Sequence, residues 1–430
     1  MALKREIGLF GAVAYGVGII LGAGIYALIG KASGMAGNAV WLSFLLATIV
    51  AVFTGLSYAE LSSAFPKSSG EYVYAKEAFG KAKIAFLVGW LVILSSVIAM
   101  STVALSFAGY FRFWFGTPIV PVAICLVLIF SLVNFIGIRE SVRTNIILTT
   151  IEALGLIIII LIGIGWYGKP NYLEMKNGFA GVFSAAALIF FAYMGFESIV
   201  KIAEEMKDPE RNLPKTILLS VLITSVIYLA VALSATSILT PLELEKSVAP
   251  LADVASRVLG DTGGVLLAAI ALFATANTVL ICNITASRMF YGMATEGALP
   301  KILGRIHEIR GSPWAAIVLS ALISVMFILP EDLKLVAEVA DFAIFAVFII
   351  VNLSLIQLRR KKPQLESPYR VPFNLKNFPI TALIGVVTCL FLAVQFEWFI
   401  SLIGILVIAV GIVIQTVYEK ITSSDTHRAR

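Results

Sequence analysis

The chain has 430 residues, of which 60% are hydrophobic and 13% charged, with a mean hydropathy of +0.97; soluble domains carry about 25% charged residues, so a soluble fold is excluded. Lys and Arg outnumber Asp and Glu by 32 to 26, an excess that loops facing anionic lipid account for without a nucleic-acid partner. Two histidines and three cysteines, Cys125, Cys282 and Cys389, show no metal-ligand or disulfide spacing, so no metal, no cofactor and no His-based enzyme is expected. The cysteines read as packing residues.

Apolar runs long enough to cross about 30 Å of hydrocarbon begin near residues 8, 38, 83, 118, 144, 180, 214, 263, 313, 335, 379 and 397. The fold class is therefore an all-α integral membrane protein of about twelve spans. The N-terminal MALKREIGLF lacks a cleavable signal pattern, and the run behind it is itself long enough to span. With that end inside, 25 of the 32 Lys and Arg residues, Lys4 and Arg5 first among them, fall on the inner side. Both termini are expected in the cytosol, in a multi-pass protein of the cell membrane.

Span 1 contains Gly18 to Gly30, GIILGAGIYALIG, where Gly22-Ala23-Gly24 weakens one turn. Glycine inside a helix costs about 1 kcal/mol relative to alanine. An opened turn in hydrocarbon is tolerated only where it lines a cavity or meets a ligand, which makes this a candidate binding site. Small-residue packing between helices, Gly18 against Gly22, is the competing reading.

Residues 65–82 mix aromatic and charged side chains and read as a segment along the inner interface or a solvated loop. Glu60 lies near the inner end of span 2. Residues 241–262 read as an outer segment that caps a vestibule or as an ordinary loop, and Arg359 to Lys362 as a topogenic anchor.

Span 6 carries a second break, Ala192-Tyr193-Met194-Gly195-Phe196-Glu197, followed by Lys201. A charge at that depth marks a cavity or a path; the alternative is that the span ends there and Glu197 pairs with Lys201. Five helices separate the two breaks, so the second copy of any repeat is inverted. Interrupted helices at matching positions of two inverted halves point to the central site of a secondary transporter.

These residues resemble a known family, the amino acid–polyamine–organocation transporters. Three stretches carry the likeness: GVGIILGAGIYALIG in span 1, FFAYMGFESIVKIAEEMKDPERNLPKTI at span 6, and ASRMFYGMATEGALPKIL at the end of span 8. The resemblance implies the five-plus-five inverted repeat of the leucine transporter, with spans 1 and 6 unwound at mid-membrane and holding the backbone of an amino acid. On that basis residues 1–378 form the transport core, with repeats at about 8–166 and 179–357 and a linking loop to 378. Residues 379–420 add two helices and 421–430 a cytosolic tail.

The carboxylate of such a substrate suits the freed N–H groups of Gly22, Ala23, Gly24 and Ile25. Its ammonium group suits the carbonyls of Ile20, Phe191, Ala192 and Met194. Tyr193 or Phe191 is a candidate aromatic gate, and Ser101 and Thr102 of span 3 are candidates for side-chain selectivity. The sequence departs from the family at Ala23, where many relatives have Ser or Thr, and at Tyr26, where Phe is commoner.

Glu152 stands in span 5 among about fifteen residues with no other charge, where its ionised form is costly. Several sodium-independent relatives have Lys at the matching position. Glu152 is the candidate coupling residue, taking a proton, ligating sodium or neutralising a nearby cation, with Asn277 and Thr278 of span 8 as polar neighbours. Glu338 and Asp341 are further buried acids at the start of span 10. Arg288 with Glu197 or Glu204 is a candidate inner gate.

The expected function is alternating-access transport of a small or medium neutral amino acid with proton coupling. An uncoupled amino acid or polyamine exchanger and a sodium symporter are the alternatives. The partners are the amino acid, the proton or sodium, and membrane lipid; the oligomeric state stays open.

Overall fold

The computed structural model describes residues 7–330 and 333–428, so Lys4, Arg5 and the last two residues of the tail lie outside the described residues. Twelve apolar helical segments follow one another, which makes this a multi-pass, all-α membrane protein. Spans 1 to 6 are Leu9–Ala36, Val40–Ala64, Ala82–Phe115, Ile119–Ile136, Ile138–Gly163 and the broken segment Gly178–Glu205. Spans 7 to 12 are Pro209–Ile238, Asp261–Thr295, Trp314–Ile328, Leu333–Lys361, Ile380–Ala393 and Trp398–Arg428. Spans 9 and 11 are the shortest, at 15 and 14 residues. Even so, neither holds a charged residue, and Leu329 and Val394 continue their apolar runs past the helix ends.

Span 1 is continuous in hydrogen bonding on either side of Gly22, whose φ of 11° and ψ of −172° are not helical. Span 6 is a helix over Gly178–Ile189, a 3-10 turn over Phe190–Tyr193, and a 3-10 helix over Phe196–Glu205. Gly195 between them has a φ of 127°, a conformation that a side chain resists.

The two breaks face each other. A methyl on Gly24 would stand 2.4 Å from Ala192 Cα, and one on Gly195 would stand 2.5 Å from Ile19 Cγ2. Residue 24 thus meets 192 and residue 19 meets 195, an antiparallel crossing made possible by the missing side chains. At the inner ends of the same spans, Ile7 bridges Met206, and Lys207 N donates to the Ile7 carbonyl at 2.9 Å. Around this pair, span 8 packs along span 3 and span 2 along span 7.

The two connecting segments are more than loops. Gly70–Phe79 is an inner helix whose Glu71, Tyr74 and Ala78 are buried against spans 3 and 10, deeper than an interfacial segment, because Glu71 has a buried cation to meet. Pro241–Lys246 and Pro250–Leu259 are two outer helices that bury Leu244, Leu251 and Val254 and lie on the outer half of span 1.

Arg359 is also more than an anchor. It is buried, and its guanidinium grips Glu60 with Nε to Oε1 at 2.6 Å and Nη2 to Oε2 at 2.8 Å. Val371 N adds a third bond to Glu60 Oε2 at 2.8 Å, which straps the loop after span 10 to the end of span 2.

Candidate functional site

The unwound turns enclose a cavity of about 40 Å³. That is room for a few water molecules and less than an amino acid fills, so the site is narrow in this conformation. A larger cleft of about 720 Å³ lies on the outer face between Lys169, Lys176 and Thr240. Its charged walls are solvent-exposed and it touches neither break, so the chemistry is sought at the smaller cavity.

Of the sequence candidates, Ile20, Gly22, Ala23, Gly24, Phe191, Ala192, Met194, Glu197 and Thr278 line the cavity. Ile25 is buried outside it. Tyr193 turns away: its hydroxyl meets Thr48 Oγ1 at 2.8 Å, and its ring stands edge-on to Tyr228. Ser101 bonds the Ser324 carbonyl of span 9 at 2.8 Å, and Thr102 bonds its own helix at Ile98, so both serve packing here. One turn earlier on the same helix, Ser96 and Ala99 take the positions at the cavity.

The freed backbone groups have partners. Ala23 N donates to Thr278 Oγ1 at 3.0 Å, so span 8 supplies an acceptor for the donor that Gly22 exposes. On the acceptor side, the Tyr228 hydroxyl of span 7 lies 2.5 Å from the Ile20 carbonyl, 2.8 Å from Leu21 and 3.0 Å from Ala192. One hydroxyl proton cannot serve three carbonyls, so acceptor capacity is left over where an ammonium group brings three donors. Tyr228 and Leu21 escaped the sequence reading, since nothing local marks a span 7 tyrosine as a neighbour of both breaks.

Glu152 is fully buried, and neither of its carboxylate oxygens has a hydrogen-bond partner among the described residues. No ion pair reaches it among those residues. Asn277 stands beside the carboxyl but directs its amide to Thr149 Oγ1 at 3.1 Å, while its own Oδ1 accepts from Asn145 at 2.9 Å. Tyr26, the departure from the family pattern, donates its hydroxyl to the Glu152 backbone carbonyl at 3.0 Å and so ties span 1 to span 5.

The candidate gate pair is not formed in this conformation. Arg288 bonds Asn134 Oδ1 of span 4 at 3.3 Å, and Glu197 Oε2 accepts from Gly195 N at 2.8 Å, capping the break in its own span. Nor does Glu197 pair with Lys201, which reaches Glu71 instead. Cys282 packs against the core and also lines the cavity. Asp341 is fully buried, with no hydrogen-bond partner for either oxygen among the described residues.

Two opposed helix breaks around a backbone-lined cavity are the arrangement of a transporter, and residues 7–420 match the family described as amino acid permease. The chain belongs to that family. It is 30% identical to the branched-chain amino acid permease BcaP of Bacillus subtilis, over 97% of this chain and 94% of that protein. It is 27% identical to the methylthioribose transporter of the same organism, again over 97% and 94%. The human large neutral amino acids transporter small subunit 2 is 31% identical over 96% of this chain and 80% of its own length. This permease is therefore a transporter of the amino acid permease class and not an enzyme.

Proposed function

We propose that this permease is a secondary active transporter of small or medium neutral amino acids, working by alternating access and coupled to protons through Glu152. The observation that carries the reading is the convergence of Ala23 N–H and the Ile20 and Ala192 carbonyls on one cavity. These groups complement a zwitterion: a donor near a helix N-terminus for the carboxylate, and surplus carbonyls for the ammonium. The side-chain wall supports a neutral substrate. Ser96, Ala99, Ile281 and Cys282 carry no charge, and the Glu197 carboxylate is engaged with the backbone of its own break. Two of the relatives are named for neutral amino acids, branched-chain in one and large in the other, while a third is named for methylthioribose.

Proton coupling is favoured by the surroundings of Glu152. An ionised carboxylate without a cation, with only the Asn277 amide beside it, costs several kcal/mol in such a place, and protonation removes that cost. The inverted repeat, about 8–166 and 179–357, accounts for the paired breaks, and the lysine and arginine distribution supports cytosolic termini in a cell membrane.

Purified protein in liposomes tests the proposal. Saturable uptake of labelled leucine, valine or alanine driven by an inward proton gradient is expected. Uptake that prefers lysine, or that needs sodium, would overturn it.

A further inference from the structure

The inner part of span 6, Phe196–Glu205, is a 3-10 helix of ten residues. The bonds at its ends run between residues three apart: Ser198 N to Gly195 O at 2.8 Å, and Met206 N to Ala203 O at 3.4 Å. Runs beyond three or four residues are uncommon because the hydrogen bonds are poorly aligned, and inside a longer helix they mark a hinge. The winding is also stretched, at about 2.0 Å per residue against about 1.5 Å in an α-helix, so ten residues shorten by about 5 Å on rewinding.

The winding sets which charges meet. At about 120° per residue, Glu197 and Lys201 stand about 120° apart around the axis. Glu197 faces the cavity, and Lys201 pairs with Glu71 of the inner helix, the two side chains being 1% and 0% exposed. At the α-helical step of about 100°, the same two residues come within about 40° of each other and become partners one turn apart. Lys201 has two carboxylates within its reach, one for each winding.

The inner helix is the stationary side of this contact. Burial of Tyr74, Ala75 and Ala78 holds it against spans 3 and 10. Exposed pairs from Lys76 to Glu296 and from Lys362 to Glu77, each 2.7 Å, add little energy but fix its register on spans 8 and 10. Toward span 6 its segment offers Glu71 to Lys201, and Ser68 N to Glu204 Oε1 at 3.2 Å.

We propose that Lys201 is the latch of the inner gate, paired with Glu71 while Phe196–Glu205 is 3-10 wound, and transferred to Glu197 when the segment rewinds as an α-helix and withdraws from the inner helix. The closed pair resists opening because separating buried ions leaves lone charges out of water; once water enters, hydration replaces the pair. Glu197 joins the latch to the cavity, since it both lines the site and caps the break at Gly195. The inference rests on the transport reading, but its readout below needs neither the substrate nor the coupling ion, and uptake measured in the same vesicles reports separately on transport.

Cys282 is a built-in reporter on the cavity wall. With Cys125→Ser and Cys389→Ala in the full chain, a membrane-impermeant methanethiosulfonate applied from the inner side measures how often the gate opens. Lys201→Met is expected to raise the labelling rate about ten-fold or more, because Glu71 is left buried without a cation, with only the Tyr58 hydroxyl 3.4 Å away. Adding Glu71→Gln removes the stranded charge but not the loss of the latch, so the rate should fall back only in part and stay above that of the parent. Glu197→Gln alone should lower it, since the open state loses its partner. The reversed pair Lys201→Glu with Glu71→Lys keeps the latch and loses the exchange, so it too should label slowly; it decides the matter if Lys201→Met does not assemble. An unchanged rate in Lys201→Met, a double variant as fast as the single one, or parental rates in Glu197→Gln and the reversed pair would overturn the proposal.

Discussion

Thr278 Oγ1 accepts the backbone N–H of Ala23 at 3.0 Å, across 255 residues of sequence. This bond closes on span 8 the gap that Gly22 opens in span 1. Thr278→Val keeps the shape and removes the acceptor, and an orphaned buried donor costs about 1–3 kcal/mol. Because that donor is then left for the substrate carboxylate, the KM for a neutral amino acid should fall, by up to roughly ten-fold, with Thr278→Ser close to the parent. Equal KM values for the Val and Ser variants in proteoliposome uptake would show that Ala23 does not depend on this bond.

The crossing of spans 1 and 6 has no room for a methyl group. Gly24→Ala would place one 2.4 Å from the Ala192 backbone, whereas at Gly11, on the same span, the nearest atom is 3.8 Å away. Uptake should be lost in Gly24→Ala and kept in Gly11→Ala, with surface expression of both checked by labelling. Normal uptake by Gly24→Ala would mean that the breaks do not approach each other as described.

Tyr228 joins the carbonyl ends of both breaks through one hydroxyl. Tyr228→Phe removes that donor while its edge-on ring contact with Tyr193 stays. A net hydrogen bond contributes about 1 kcal/mol, so substrate affinity should fall roughly five-fold. Binding by scintillation proximity is the direct check, and unaltered affinity would remove Tyr228 from the site.

How much of this was legible in the sequence depends on the range of the interaction. The break at Gly22 and the one before Glu197 are local events, written in glycine and in a charge within an apolar run, and both are found there. The start of each span is also local and agrees within six residues, the largest difference being at span 5, where 144 was expected and Ile138 begins the helix. Helix rotation is not local: Ser96 and Ser101 are equally polar, yet only Ser96 reaches the cavity, because span 9 claims Ser101 through Ser324. The partner of Lys201 lies 130 residues away, and the neighbouring Glu197 misled because the segment is not α-helical.

The outer helices carry their own pH dependence. Glu243 caps Pro241–Lys246, and its carboxyl is pulled down to about 2, first by the Thr240 N–H, then by Arg257 and the Thr240 hydroxyl. A lowered folded-state pKa gives stability that is complete above the ordinary value of 4.5 and is lost as pH falls toward about 2. Amide exchange over residues 241–259 should therefore quicken across that window once intrinsic rates are corrected. In Glu243→Gln the acid step should be missing, and its persistence would assign it to another group.

Proton-driven accumulation by wild type and Glu152→Gln tests the central claim most directly. In proteoliposomes with an imposed inward proton gradient, the wild type is predicted to concentrate labelled leucine. Glu152→Gln is predicted to lose that accumulation while still exchanging internal for external substrate. Undiminished proton-driven accumulation in Glu152→Gln would contradict the account.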